Sequence, residues 1–273
     1  DGIFVAAQAK IDGDTVVLSS PDIKKPVAMR FAWSMLAEPN LRNVEGFPVS
    51  AFRAGKISER FVIDSKVPEA KDYKLVYSFG IGNTRTTKKT AAYRVDKASK
   101  MGPFDRIGYF LALKKADASL EYVWVTLDPF ADEAAKLGVP TASVGATLRQ
   151  WVDNMAVKTN VRGLKTGKGL KGYIEFWPNN YNPKNSAHIP GASEEAFDFG
   201  DTPVGPFEGY GSMQIHIPSE KQTVFALNNW STGPKTEVGI GNCPTGNPDY
   251  TFSGITAETY QVKRLFVLVR PAK

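Results

Sequence analysis

Short apolar runs separated by Gly, Pro and polar clusters recur along this chain, and most alternate with a period of two. Apolar residues at every second position put one face of an extended strand into a core. Residues 4–20 predict a hairpin, because Asp12-Gly13-Asp14 sits between β-rich runs and Asp-Gly is a strong turn signal. Val27–Trp33 predicts the next strand, and Tyr73–Phe79 alternates as a half-buried strand should. Ile107–Leu113 and Leu120–Leu127 follow. In the second of these, Tyr122 and Trp124 share one face while Val123, Val125 and Leu127 share the other, which predicts a strand central to a sandwich. Further strands are expected around 147–151, 157–161, 223–227 and 261–269. One helix signal stands out: Asp128 as N-cap, Pro129 at the first position, and Gly138 with Pro140 as the stop, predicting a helix over Phe130–Leu137. The expected fold is all-β: a small β-module over 1–55, a linker over 56–72, and an antiparallel β-sandwich or jelly-roll-like domain over 73–273 with one short helix.

Composition narrows the chemistry. With 273 residues, 42% hydrophobic and 23% charged, the chain can build a packed core, and global disorder is excluded. A single cysteine, Cys243, excludes an internal disulfide and a cysteine-based zinc site, and two histidines, His188 and His216, exclude a multi-histidine metal site. Cofactors are expected to be none. Calcium is the one metal left open, with Asp198 and Asp201 as oxygen donors, although no EF-hand spacing is present. The net charge of +6 is localised: residues 73–120 carry ten basic and three acidic side chains, while the rest is balanced. Such a segment suits an anionic polymer such as a sulfated or sialylated glycan; no nucleic-acid module is legible. Lys165-Thr166-Gly167-Lys168-Gly169 lacks the spacing of a phosphate loop and reads as a surface loop over 163–172. No run of 18 apolar residues exists, so no spanning helix is expected. Asp1-Gly2-Ile3 reads as a mature or trimmed start.

The candidate chemistry lies between Tyr173 and Trp230. Tyr173-Ile174-Glu175-Phe176-Trp177-Pro178-Asn179-Asn180-Tyr181, Gly209-Tyr210-Gly211-Ser212-Met213-Gln214-Ile215-His216 and Asn228-Asn229-Trp230 interleave aromatic rings with amides. Rings cover the apolar face of a pyranose while amides bond its hydroxyls. The candidate sugar-binding residues are Trp177, Asn179, Asn180, Tyr181, Tyr210, His216, Asn228, Asn229 and Trp230. The same residue types also serve turns and cores: Asn and Gly favour turns, and a Trp in a strand is commonly core.

Two stretches carry a resemblance. Ile11-Asp12-Gly13-Asp14-Thr15-Val16-Val17, Met29-Arg30-Phe31-Ala32-Trp33 and Asn40-Leu41-Arg42-Asn43-Val44-Glu45-Gly46-Phe47-Pro48-Val49-Ser50-Ala51-Phe52-Arg53 resemble the C-terminal end of bacterial sialate O-acetylesterases, with Arg42, Phe47 and Ala51 as departures. The resemblance covers about a fifth of the chain. It implies an accessory β-domain of a secreted, periplasmic or cell-surface bacterial carbohydrate esterase, with an upstream esterase domain as partner. That family's Ser nucleophile and Asp-x-x-His pair have no counterpart here, so no catalytic residue carries over. The region from Tyr73 resembles uncharacterised extensions of such esterases through its Glu-Phe-Trp-Pro-Asn-Asn-Tyr, Gly-Tyr-Gly-Ser-Met-Gln and Asn-Asn-Trp blocks.

Three functions are therefore weighed. The first is a non-catalytic accessory module that binds a glycan or polysaccharide. The second is a carbohydrate-active enzyme in its own right, an esterase or a glycoside hydrolase. For this, Glu175, Asp198, Asp201 and Glu208 supply carboxylates, and His216 could act as base. The third is a structural cell-surface sandwich.

Overall fold

The computed structural model describes residues 4–32, 37–55, 60–82, 92–139, 148–177, 212–228, 235–245, 249–250 and 253–273. The chain divides into two compact units, Asp1–Pro68 and Glu69–Lys273. In the first, the expected hairpin forms. β1 (Gln8–Asp12) pairs antiparallel with β2 (Thr15–Ser19), and Gly13 takes φ +56°, a value the tight turn needs and glycine adopts without strain. β3 (Ala28–Phe31) pairs with β4 (Phe52–Gly55), and the Phe31 and Phe52 rings lie 5.3 Å apart. Within the stretch expected to be a linker, α1 (Phe61–Lys66) forms and is followed by a 3-10 turn over Pro68–Asp72. Val62, Ile63, Val67 and Ala70 are buried.

The second unit carries one antiparallel sheet of ten strands. They are β5 (Lys74–Gly80), β6 (Tyr93–Asp96), β7 (Phe104–Lys114), β8 (Glu121–Leu127), β9 (Leu148–Thr159), β10 (Gly167–Trp177), β11 (Ser212–Ile217), β12 (Gln222–Asn228), β13 (Glu237–Ile240) and β14 (Val262–Pro271). From β7 to β13 each strand lies beside its predecessor, and β14 inserts between β7 and β5. The run from β7 to β13 is a meander, and the place of β14 between β7 and β5 makes the connections into β7 and β14 crossovers.

The sheet curls. Tyr109 on β7 and Phe225 on β12 bring their ring centroids to 6.4 Å, with four strands between them in the sheet order. Five strand spacings laid flat would separate them by roughly 24 Å. Alternation supplies the apolar lining of the resulting sandwich-like core: Leu111, Val125, Ile174, Ile215, Leu227 and Val267 are each fully buried, worth about 1.5–3 kcal/mol apiece. β8 is central as expected, between β7 and β9, with Val123 and Val125 on one face and Trp124 buried on the other.

Three sequence expectations are corrected. Phe130–Leu137 is no α-helix; only a 3-10 turn forms, over Ala134–Leu137. Asp128 cannot cap it, because its carboxylate accepts hydrogen bonds from the Arg106 guanidinium and from Asn154 Nδ2 (3.3 Å). Second, the Gly- and Lys-rich segment 163–172 is a loop only in part. β10 begins at Gly167 and continues through Lys168 and Gly169, paired with β9 across two register shifts that absorb the glycines. Third, the two strands expected near 147–151 and 157–161 are one strand, β9.

Gly239 illustrates how closely the outer face packs. A Cβ there would fall within the ring of Tyr250, which also packs with Ala226 and Cys243. Gly239→Ala is expected to displace the ring and cost about 1–3 kcal/mol, read as a lower melting temperature. Near-UV circular dichroism of the displaced tyrosine checks the cause.

Candidate functional site

β11 alternates Ser212, Gln214 and His216 with Met213, Ile215 and Ile217. The apolar set enters the core, as do Ile174 and Phe176 of β10 and Phe225 and Leu227 of β12. The register then lays the polar set in a band across the opposite face. Glu175 pairs with Gln214, Tyr173 with His216, His216 with Thr223, Ser212 with Asn228, and Asn228 with Glu237. A shift in the β11–β12 register, between Ile215 and His216, keeps Thr223 opposite His216. An amphipathic strand of this kind usually leaves its polar face wet. Here Glu175, Ser212, Gln214, His216, Thr223, Asn228 and Glu237 are all buried.

Burial without hydrogen bonds would be costly, and the band bonds internally. His216 Nε2 lies 2.9 Å from Gln214 Oε1 and 3.2 Å from Glu175 Oε1, two acceptors that place a proton on that nitrogen. His216 Nδ1 lies 3.1 Å from Thr223 Oγ1, within hydrogen-bond distance of the threonine hydroxyl. Gln214 Nε2 donates to Ser212 Oγ at 3.2 Å. The Tyr173 ring lies against the imidazole at a centroid distance of 4.9 Å. Further along the band, Glu237 accepts from Asn228 Nδ2 (2.9 Å) and from the Gly254 backbone N–H (2.7 Å), tying β12, β13 and the turn at Gly254 together.

Two chemical capacities follow from this geometry. Thr223, His216 and Glu175 stand in the order hydroxyl, base, orienting carboxylate, the arrangement that activates a nucleophile. The buried carboxylates Glu175 and Glu237 are three strands apart, roughly 14 Å along the sheet. That exceeds the roughly 5–9.5 Å a glycosidase pair requires.

Of the predicted sugar-binding residues, His216 and Asn228 are fully buried, with side chains engaged in the band. Trp177 is the last residue of β10 and pairs with Ser212; its side chain lies outside the described residues. Asn179, Asn180, Tyr181, Tyr210, Asn229 and Trp230 also lie outside them, as do the predicted donors Asp198 and Asp201 and the carboxylate Glu208. Sequence reasoning missed Gln214, Thr223 and Glu237 as members of one band. Stepping back by two from His216 along its strand reaches Gln214 and Ser212, so part of the signal was present.

What the register does bring together is the places where the candidate blocks begin. Trp177, Ser212, Asn228 and Glu237 stand in one row across β10 to β13. The β10–β11 and β12–β13 connections therefore leave the sheet at the same end.

Among the described residues no group of three or more His, Cys, Asp or Glu is placed to hold a metal ion, and no helix is long and apolar enough to cross a membrane. Within the basic segment 73–120, Arg106 is buried and bonded to Asp128, Thr126 and the Asn154 carbonyl, while Arg94, Lys97 and Lys100 are exposed on and just after β6. No family model matches the chain, and no curated protein or solved structure matches it. The class that the fold defines is an all-β protein with a curled, sandwich-like sheet.

Proposed function

We propose that the second unit is a non-catalytic, glycan-binding module, accessory to a secreted bacterial carbohydrate esterase of the sialate O-acetylesterase type. The single observation that supports it most is the row Trp177–Ser212–Asn228–Glu237. Two strand spacings, about 10 Å, separate the ends of β10 and β12. Within three or four residues of those ends the sequence carries Asn179, Asn180 and Tyr181 on one connection, and Asn229 and Trp230 on the other; Tyr210 lies two residues before β11. The two connections that carry these residues in sequence thus leave the sheet at the same end. The esterase association rests on the resemblance of residues 11–53 alone, as does a secreted location.

The test is affinity electrophoresis of the 273-residue chain in neutral, sulfated and sialylated polysaccharide gels at two salt concentrations. A neutral glycan is expected to retard it, and raised salt to leave the retardation in place, since stacking is not screened. Trp177→Ala or Trp230→Ala is expected to weaken binding about 30-fold, the effect of losing an aromatic anchor worth about 2 kcal/mol. Retardation by anionic gels only, erased by salt, would instead place binding on the basic segment. No retardation in any gel would defeat the proposal.

The order Thr223–His216–Glu175 favours a second reading, hydrolysis of esters by this chain itself. Release of nitrophenol from nitrophenyl acetate, abolished by Thr223→Val, would support it over the first.

A further inference from the structure

Between Ile81 and Lys100 the sequence sets Arg85, Lys88, Lys89, Arg94, Lys97 and Lys100 against a single acid, Asp96, so this stretch alone carries +5 of the chain's net +6. The fold brings its described part to one border of the sheet. β6 is the last strand in the sheet order, paired with β5 and, among the described residues, with no strand beyond it. A 3-10 turn over Ala98–Lys100 follows directly. Arg94, Lys97 and Lys100, three residues apart along this border, are all exposed. Among the described residues no ion pair reaches any of the three. The nearby acids are engaged elsewhere. Asp96 Oδ1 accepts from the Ala98 N–H at 3.1 Å. Asp132 and Glu133, just before the neighbouring 3-10 turn over Ala134–Leu137, both bridge to Lys136 at 3.1 Å.

Uncompensated charges of one sign along a border attract a polymer of the opposite sign, whose condensed counterions are released on contact. We infer that the β6 border, through Arg94, Lys97 and Lys100, is a docking surface for a linear sulfated polysaccharide. Nucleic acid matches the charge but not the rest of the surface. A single strand binds on exposed rings against which its bases stack. The one ring on β6, Tyr93, is instead stacked on Tyr77 at 4.2 Å, and its oxygen accepts from the Val139 N–H at 2.9 Å. Sulfate groups spaced along a chain require only ammonium and guanidinium donors. This surface lies at the opposite end of the sheet order from β13, apart from the row at the ends of β10 to β13, so it requires nothing of the neutral-glycan reading.

The test is binding of the full chain to labelled heparin, the sulfated probe, followed by fluorescence anisotropy over a salt series. The parent is expected to bind at low salt, with log affinity falling linearly against log salt. The triple variant Arg94→Gln, Lys97→Gln, Lys100→Gln should bind more weakly and show a slope shallower by about 2–3, since each lost contact removes about one released counterion. The control triple variant Lys158→Gln, Lys165→Gln, Lys235→Gln removes the same charge from lysines paired with Glu69, Glu220 and Glu258, and should keep the parent slope. Equal losses in the two triple variants would reduce the effect to net charge and overturn the inference, as would a parent that does not bind heparin at low salt. A parent that prefers a single-stranded oligonucleotide to heparin at the same salt overturns the choice of partner. If the first triple variant melts below the parent, Lys97→Gln alone, at an exposed turn, reads the same effect as a slope shallower by about 1; an unchanged slope there overturns the inference too.

Discussion

Replacing Glu175 with alanine is expected to lower the melting temperature of the second unit by roughly 10 °C. The substitution strips His216 Nε2 of one acceptor and leaves a cavity in a band shielded from water. An unsatisfied buried donor and a cavity in a packed site together cost about 3–5 kcal/mol. In a unit of this size each kcal/mol shifts melting by about 2–4 °C. Glu175→Gln retains volume and an acceptor oxygen, so its loss should be about 1–2 kcal/mol, within the range for one altered buried hydrogen bond. Thermal denaturation of both variants gives the order Ala worse than Gln. If Glu175→Ala melts like the parent, the band does not hold the sheet, and a role in chemistry gains weight. If the loss is found and nitrophenyl acetate is untouched by parent and variants alike, Thr223, His216 and Glu175 are a structural relay.

The second large effect is alkaline unfolding. Tyr77 and Tyr93 stack at 4.2 Å, the Tyr109 hydroxyl donates to the Leu137 carbonyl at 3.0 Å, and the Tyr93 oxygen accepts from the Val139 N–H at 2.9 Å. Burial, reinforced by Asp96, pushes the Tyr77 phenol from its ordinary 10 up to about 12. Burial raises Tyr93 and Tyr109 further, and the neighbouring phenols add to the effect. The folded pKa thus exceeds the unfolded one. The stability these groups contribute is fully present below pH 10, and it is lost as pH rises through about 12, because the unfolded chain releases protons that the folded chain retains. Tyr77 alone accounts for about 2 kcal/mol by pH 12. Melting temperature should hold to pH 10 and then fall steeply, and the 295 nm absorbance of these phenolates should rise only with unfolding. A smooth tyrosine titration at ordinary pH, without loss of structure, would contradict the packing. Tyr93→Phe should flatten the fall.

The strands were the most legible part of the sequence. Alternation located β1, β2, β5, β7, β8, β12 and β14 to within a few residues, because period-two burial is a local property. The short β6 and β13 carry too few apolar positions to signal themselves. The Phe130–Leu137 helix failed for a tertiary reason: its capping aspartate is recruited by Arg106, a residue 22 positions upstream. The only α-helix among the described residues stands instead among the charged residues read as a linker, where Val62, Ile63 and Val67 were too few to outweigh their polar neighbours. His216 was legible as a strand residue, but burial of both faces of β11 was not, since a strand pattern cannot report what covers its polar side. The candidate sugar residues were legible only as composition; the alignment of the segments that bear them came from the register of β10 to β13.

The position of β14 has a consequence during synthesis. β14, the sheet's last strand in chain order, lies inside the sheet, bonded to β5 on one side and β7 on the other. Until it leaves the ribosome, two unpaired edges face solvent in the nascent chain, each a template for pairing with a neighbour. Translation from Lys74 to Val262 takes roughly 10–40 s at 5–20 residues per second. The second unit must spend that interval as an open sheet, so its yield in the cell depends on how well those two edges are shielded before the ten residues of β14 arrive.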